Sequence, residues 1–325
     1  MEKEFKRVGT HNGKFHADEV MSTAILKEIF DIEVIRSRDP EVLKDLEIIY
    51  DIGEGEFDHH QVDKRYRDSG IPYAACGLIW ERFGRDVIRM YDDALSEENL
   101  EYIFHEIDDM LIKGIDAADN GLRTTRAIIP TLNITAIISK FNPTWDSGPD
   151  EESSFSEAVG LASGVLKNVL RQKLSVVYAE EHVRRAYKNR TVPELLVLDK
   201  PYPWNEILYQ IDEEKQIVYV ISPDHGQYII QTVRRSDGGY GDVKPLPLSW
   251  AGKRDAELCA VTGTEDAVFC HADRFIAGAR SLESIMKMAE IALAEPEETK
   301  HEEVDVSILD AIKRLISSKR IRVLR

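Results

Sequence analysis

The stretch VGTHNGKFHADEVMSTAILKEIF, residues 8–30, decides how this chain is read. Val8–His11 reads as the end of a short strand and Glu19–Phe30 as an amphipathic helix, with a turn between them in which Gly13 lets the backbone bend sharply. Working outward, β-branched content predicts strands at Ile32–Ser37 and Glu47–Asp51, and helical spacing returns at Ala74–Phe83 and Glu98–Ile115. Strands alternating with helices predict an α/β fold with a mostly parallel sheet flanked by helices. FNPTWDSGPDEESS at 141–154 reads as a linker or loop, and Phe155–Arg190 as one long helix or two joined ones. After Pro193 the texture changes. Leu195–Leu198, Ile217–Ile221 and Tyr228–Val233 read as strands of a second, antiparallel-leaning sheet, Ser281–Ala294 as a helix capped by Ser281, and Val304–Arg325 as an amphipathic helix. The expected organisation is a first α/β domain over 1–150, a helical connector over 151–192, and a smaller mixed α/β domain with a C-terminal helix over 193–325.

The 325 residues suit roughly two domains, and 43% hydrophobic with 31% charged residues fits a globular chain. The formal charge is −17, with 59 acidic against 42 basic residues. That argues against broad clamping of a phosphate backbone by Lys and Arg, although bound divalent metals can supply the missing positive charge. The excess is uneven: residues 1–150 hold 31 acidic and 18 basic side chains, residues 151–325 hold 28 and 24. Cys76, Cys259 and Cys270 are odd in number and form no C-x-x-C pair, so reduced buried thiols are expected rather than disulfides or a Cys-type zinc site. The N-terminus has no apolar signal region and no apolar run is long enough to span a membrane, so a cytoplasmic protein without a membrane partner is expected.

Three clusters could carry chemistry. THNGKFHADE holds His11, His16, Asp18 and Glu19 where a strand hands over to a helix, the edge at which open α/β sheets bind ligands. IIYD ends in Asp51 and leads through Gly53 and Gly55 to Asp58, His59 and His60; imidazoles are common transition-metal ligands, and an Asp beside them can orient a ring. IKGIDAADNG places Asp116 and Asp119 at i,i+3 near a helix end, where the dipole opposes acids and a cation would compensate. Taken singly, each could be a satisfied core histidine, a solvated His pair or an acidic helix cap. Together they offer four His and five Asp, most of them at strand or helix ends. That set suits Mn²⁺, Mg²⁺, Fe²⁺ or Zn²⁺, with the carboxylate share favouring the harder ions and a bridging Asp the usual core of a two-metal site.

These residues resemble the DHH phosphoesterase superfamily, named for the triplet standing here as Asp58-His59-His60, and within it the Myg family, whose eukaryotic members are described as exoribonucleases. The markers run along nearly the whole chain: THNGKFHADE (10–19), YDIGEGEFDHHQ (50–61), AACGLIWERFG (74–84), IDAADNG (115–121), FNPTWD (141–146), PLPLSWAGKRDAEL (245–258) and FCHADRFIAG (269–278). The resemblance implies a DHH-type catalytic domain over 1–150 and a DHH-associated substrate domain over 193–325. It implies two divalent ions, Mn²⁺ foremost, and 3′–5′ exonuclease activity on short RNA or other oligonucleotides through a metal-activated water. His11, His16 and Asp18 match the first ligand motif, with His16 where relatives carry Asp. Asp51 matches the bridging Asp, His59 the ligand of the second metal, and Asp119 the fourth-motif ligand, with Asp116 supporting it or replacing it. His60 would face the substrate phosphate beside Asp58. The Gly-Gly-His element of the associated domain is replaced by Phe275-Ile276-Ala277-Gly278-Ala279-Arg280, so that Arg280 or His271 would serve instead.

Arg234, Arg235, Lys253 and Arg254 are further candidates to grip a phosphate, and Arg184, Arg185, Lys188 and Arg190 are either cations favoured at a helix C-terminus or phosphate contacts. Trp145 and Trp204 are expected to pack in cores, with base stacking as the alternative. Competing functions are a small-phosphate hydrolase (a pyrophosphatase or cyclic-dinucleotide phosphodiesterase), and a non-catalytic protein with a vestigial metal site; a homodimer is compatible with any of them. A zinc deaminase, faintly echoed by His16-Ala17-Asp18-Glu19, would need a Pro-Cys-x-x-Cys that is absent.

Overall fold

The computed structural model describes residues 3–122, 131–146, 150–234 and 242–296. The chain folds into two compact units, one up to Tyr178 and one from Ala179 on.

The first unit is built on a three-stranded parallel sheet in the order β2-β1-β3. β1 (Glu4–Thr10) is central; it pairs along its whole length with β2 (Phe30–Arg36) and at Val8 and Gly9 with β3 (Ile48–Ile49). Because all three strands run the same way, the residues that follow them (His11, Ser37 to Arg38, and Tyr50 to Asp51) emerge at one edge. α1 (Ala17–Ile29) links β1 to β2. Its spacing predicts an amphipathic helix, yet Ala17 to Leu26 are all buried because α3, α5 and α6 pack around it. β3 is shorter than the expected Glu47–Asp51. Tyr50 N still bonds Gly9 O, but Asp51 turns into the left-handed region at φ 58°, and that ends the ladder.

The remaining elements of this unit are α2 (Pro40–Leu43), α3 (Ala75–Arg89), α4 (Glu97–Ile107), α5 (Lys113–Asp119), α6 (Ile134–Ile138) and, up to Tyr178, α7 (Glu151–Lys188). The single helix expected over Glu98–Ile115 is α4 and α5 joined by a π-helical turn, Asp108–Ile112. The predicted linker at 141–154 is partly structured: a short 3₁₀ turn covers Ser139–Phe141, and α7 has begun by Glu151. The core gathers Val8, Met21, Ile25, Ile79, Trp80, Ile103 and Ile115, with Phe155, Leu166 and Leu170 of α7.

The second unit holds a five-stranded mixed sheet in the order β4-β5-β6-β8-β7, from β4 (Leu195–Val197), β5 (Tyr219–Asp224), β6 (Gln227–Thr232), β7 (Ala267–Cys270) and β8 (Ile276–Ala279). Only β4 and β5 are parallel. α8 (Trp204–Ile211) follows β4; α9 (Asp255–Thr262) packs on β7, and α10 (Leu282–Ala294) on β6 and β8. Ser281 caps α10 as expected, its Oγ accepting from Ser284 N at 3.2 Å. Short β7 and β8, the latter reading Ile-Ala-Gly-Ala, carry too little β-branched signal to be legible in the sequence. The helix expected over Val304–Arg325 lies outside the described residues. Among the described residues no helix is long and apolar enough to cross a membrane.

Candidate metal centre

The cluster forms where the three parallel strands end. Asp51 is buried, and its positive φ turns the carboxylate out of the line of the strand. Each of its oxygens meets a different imidazole: Oδ2 lies 3.2 Å from His11 Nε2, and Oδ1 lies 3.2 Å from His59 Nε2. His11 Nε2 is also 3.1 Å from Glu19 Oε1, while His59 Nε2 is 3.2 Å from Asp119 Oδ2 and 3.7 Å from Asp18 Oδ2. Ligand-capable atoms of His11, His16 and Glu19 lie within 4.8 Å of one another, as do those of Asp18, His59 and Asp119, and those of Asp51, His59 and His60. Glu19, named in the sequence cluster but given no role there, thus joins His11 and His16, whereas Asp18 faces His59 and Asp119.

The electrostatics follow from packing acids together out of water. Burial, reinforced by Asp51, Asp119 and Asp116, pushes Asp18 well above the usual carboxylate range. Asp119 is raised by burial and by Asp51. Asp51 is opposed by burial but held down to about 2 by its hydrogen bonds to His11 and His59. Burial works against charged His11, yet Asp51 and Glu19 outweigh it and raise the imidazole to about 10. Burial likewise opposes the charge on His59, and Asp51 above all outweighs it and raises that ring too. The cluster therefore calls for positive charge. Two buried atoms, Glu19 Oε2 and His59 Nδ1, have no hydrogen-bond partner. A donor set of imidazole and carboxylate with a spare buried oxygen fits hard or borderline divalent ions.

The surrounding residues hold this set in place. Asp58 Oδ1 lies 2.7 Å from His60 Nδ1 and accepts from His60 N, while its Oδ2 accepts from Glu54 N at 2.7 Å. Burial opposes the Asp58 charge, but the bond to His60 and the two N–H groups keep its carboxyl low. The three N–H groups at the start of α3 are all used: Ala75 and Cys76 donate to the two oxygens of Asp18, at 3.0 and 2.6 Å, and Gly77 donates to Asp116 Oδ1 at 2.9 Å. Asp116 is turned away from His59 and takes Arg67 at 2.6 Å; Arg67 in turn grips both oxygens of Asp108. The loop between His11 and His16 is pinned from distant parts of the chain. Arg36 donates to Gly13 O, Glu151 accepts from Gly13 N, and Asn142 bonds both N and O of Phe15. Gly13 itself stands at φ 85°. A cavity of about 470 Å³ opens onto the cluster, lined by His11, His16, Asp51, His60 and Asp119 together with Arg38, Ala118 and Thr135. Arg38 and Arg67 give no signal in the sequence, and Asn142 stands in the marker FNPTWD without a role there: each acts through a partner remote along the chain, or through a cavity only the fold creates.

The predicted substrate residues of the second unit divide. Arg254 bridges Phe269 and Lys253 O accepts from Cys270 N, so both sit beside the strand that leads to His271. Arg234 follows β6, whose Thr232 N bonds Phe275 O at the same end of the sheet. Arg280, bonded through its N to Asp266 O, is at the opposite end of the β7–β8 hairpin. The two residues expected to replace the Gly-Gly-His element are therefore separated. Arg235 lies outside the described residues. In the basic run at the end of α7, Arg184 pairs with Glu180, and Arg190, just beyond the helix, donates to Gln216 Oε1 and Tyr187 O, so both are already engaged within the protein. Trp204 packs as expected, but Trp145 is 97% exposed.

This fold and site define a mixed α/β protein whose parallel sheet presents a buried His/Asp/Glu cluster at its carboxyl edge. The chain belongs to the MYG1 family: the family pattern, described as an uncharacterised protein family (UPF0160), matches residues 7–293. It is 30% identical over 320 residues to a MYG1 protein of Schizosaccharomyces pombe, covering 90% of this chain and 98% of that one. It is likewise 30% identical to proteins named MYG1 exonuclease from Mus musculus, over 330 residues (89% of this chain, 85% of the relative), and Homo sapiens, over 328 residues (89% and 86%).

Proposed function

We propose that this chain is a divalent-metal-dependent phosphodiesterase of the DHH type, acting as a 3′–5′ exonuclease on short RNA or other oligonucleotides. The observation that carries this reading is Asp51, whose two oxygens face the imidazoles of His11 and His59 at 3.2 Å each, so that this one carboxylate would be shared by the residues holding two cations. His11, His16 and Glu19 would complete one position, and His59, Asp18 and Asp119 the other. Two bound divalent ions, Mn²⁺ foremost, would supply an activated water and neutralise charge on a phosphoryl group. The protein's own part is preorganisation. The α3 N–H groups fix Asp18, Arg67 fixes Asp116, and the pinned loop fixes His11 and His16. Asp58 orients His60 through Nδ1, and the ring, whose side chain is 62% exposed at the cavity, would face the substrate phosphate. In the second unit, Arg234, Lys253, Arg254 and His271 gather at one end of the sheet and would grip an oligonucleotide phosphate. The exonuclease names of the mouse and human relatives support the substrate class.

The cavity of about 470 Å³ gives weight to a second reading, hydrolysis of a small phosphate such as pyrophosphate or a cyclic dinucleotide. One screen separates the two. With Mn²⁺, end-labelled short RNA and DNA should be shortened stepwise to mononucleotides, with pyrophosphate left intact. Asp51→Asn should lower that rate by about 100-fold or more. Unchanged hydrolysis in Asp51→Asn would sink the two-metal reading.

A further inference from the structure

We propose that Arg38 is a phosphate-binding residue of the metal cavity, taking two oxygens of a nucleotide phosphoryl group through its guanidinium; this rests on the phosphodiesterase reading above. Three observations lead to it. First, Arg38 is the only lysine or arginine among the described residues lining the cavity, whose other polar walls are the histidines and aspartates of the cluster and Thr135. A substrate phosphate entering there meets metal-ligating groups on one side and a fixed cation on the other.

Second, among the described residues nothing engages the Arg38 side chain. Arg36, two residues earlier, is already committed: it donates to Gly13 O at 2.6 Å, pairs with Glu152 at 3.3 Å and lies 4.5 Å from the centre of the Phe155 ring. Arg38 is exposed and has no hydrogen bond or ion pair among the described residues, although Asp51 and Asp119 line the same cavity. Those two acids are occupied by His11 and His59 instead.

Third, the backbone carrying Arg38 is tied on both sides. Ser37 N donates to Thr10 O at 2.8 Å, which locks the segment to the end of β1 beside His11. Asp39 caps α2 by accepting from Glu41 N at 2.9 Å, and its own N donates to Ser37 Oγ at 3.1 Å. A held backbone whose guanidinium fork has no partner among the described residues, at a cavity full of metal-type ligands, suits recognition of a planar pair of anionic oxygens.

The test uses the full chain and a product-like probe, adenosine 5′-monophosphate, titrated calorimetrically with Mn²⁺ present, while Mn²⁺ binding alone is followed by electron paramagnetic resonance. Arg38→Gln should weaken nucleotide binding by about tenfold or more with Mn²⁺ binding unchanged, since a charge-assisted pair is lost. Arg38→Lys, which keeps the charge and loses the fork, should fall between. Equal nucleotide affinity in wild type and Arg38→Gln overturns the role of Arg38 and leaves the phosphodiesterase reading standing. Loss of Mn²⁺ binding in Arg38→Gln also overturns it, because the residue would then support the metal ligands. Wild-type protein that binds Mn²⁺ but no nucleotide overturns both readings.

Discussion

At the scale of single residues, function hangs on how a few polar groups are oriented. Asp51 occupies a left-handed backbone conformation that aspartate and asparagine tolerate better than branched residues do. Asp51→Asn should therefore keep the turn and lose the charge, so its effect reads on the site and not on folding. Asp58 acts through His60. Asp58→Asn is expected to reduce turnover by about 10- to 100-fold while leaving the melting temperature near that of wild type, and a steady-state assay beside a thermal melt checks both. The thiols give a prediction independent of function. Burial pushes Cys76 well up, and pushes Cys270 up to about 11, while Cys259 is only half-buried. Titration of the native protein with a thiol reagent near neutral pH should show one reactive group, Cys259; the other two should react only after unfolding.

At the scale of elements, the start of α3 is the anchor. Its first N–H groups hold Asp18 and Asp116, an arrangement the dipole of a 15-residue helix favours. A Cβ at Gly77 would overlap the Asp116 carboxylate, so Gly77→Ala should cost about 1–3 kcal/mol in urea unfolding. Arg67→Met should cost about 3–5 kcal/mol because it strands buried Asp116, and adding Asp116→Leu should recover most of that loss. Between α3 and α4, Arg85 grips both oxygens of Glu101 and holds that carboxyl below its usual 4.5. The folded-state value is the lower one, so the pair stabilises fully above the unfolded value and fades as pH falls through the folded one. For a half-exposed pair, wild type should exceed Glu101→Gln by roughly 0.2–1 kcal/mol near pH 7, and the difference should shrink as acid protonates the carboxyl. The β1–α1–β2 unit is legible in sequence because alternation and helical spacing are local signals, and Gly13 announces its turn. The fastening of the His11–His16 loop is not, because its partners Asn142 and Glu151 stand 127 and 138 residues away from the backbone groups they bond. Composition cannot choose between Asp116 and Asp119 either; the choice depends on Arg67, 49 residues before Asp116. Trp145 and Trp204 look alike as large apolar residues, and only tertiary packing separates them.

At the scale of the whole molecule, two cores of different make share one chain, and among the described residues the metal-type cluster belongs entirely to the first. A ligand that binds only folded protein stabilises the part that holds it. Adding Mn²⁺ in scanning calorimetry should raise the transition of the first unit and leave that of the second in place. A core truncation such as Ile285→Ala, at a fully buried site of the second unit, should do the converse, lowering the second transition by an amount equivalent to about 2–5 kcal/mol. The excess of acids in residues 1–150 fits the same division, since that half carries the carboxylates a bound cation would neutralise.

The π-helical turn at Asp108–Ile112 holds one residue more than an α-helical ladder would. Each helical residue advances about 100° around the axis, so that one insertion sets the compass bearing of everything after Lys113, Asp116 and Asp119 included. Removing exposed Met110 should regularise the helix and swing both aspartates about 100° off Arg67 and His59, giving a chain that binds metal poorly and, with Asp116 stranded, melts at a lower temperature. The aim of two side chains is thus stored as a count of residues, a kind of information that no substitution can rewrite and a single deletion can erase.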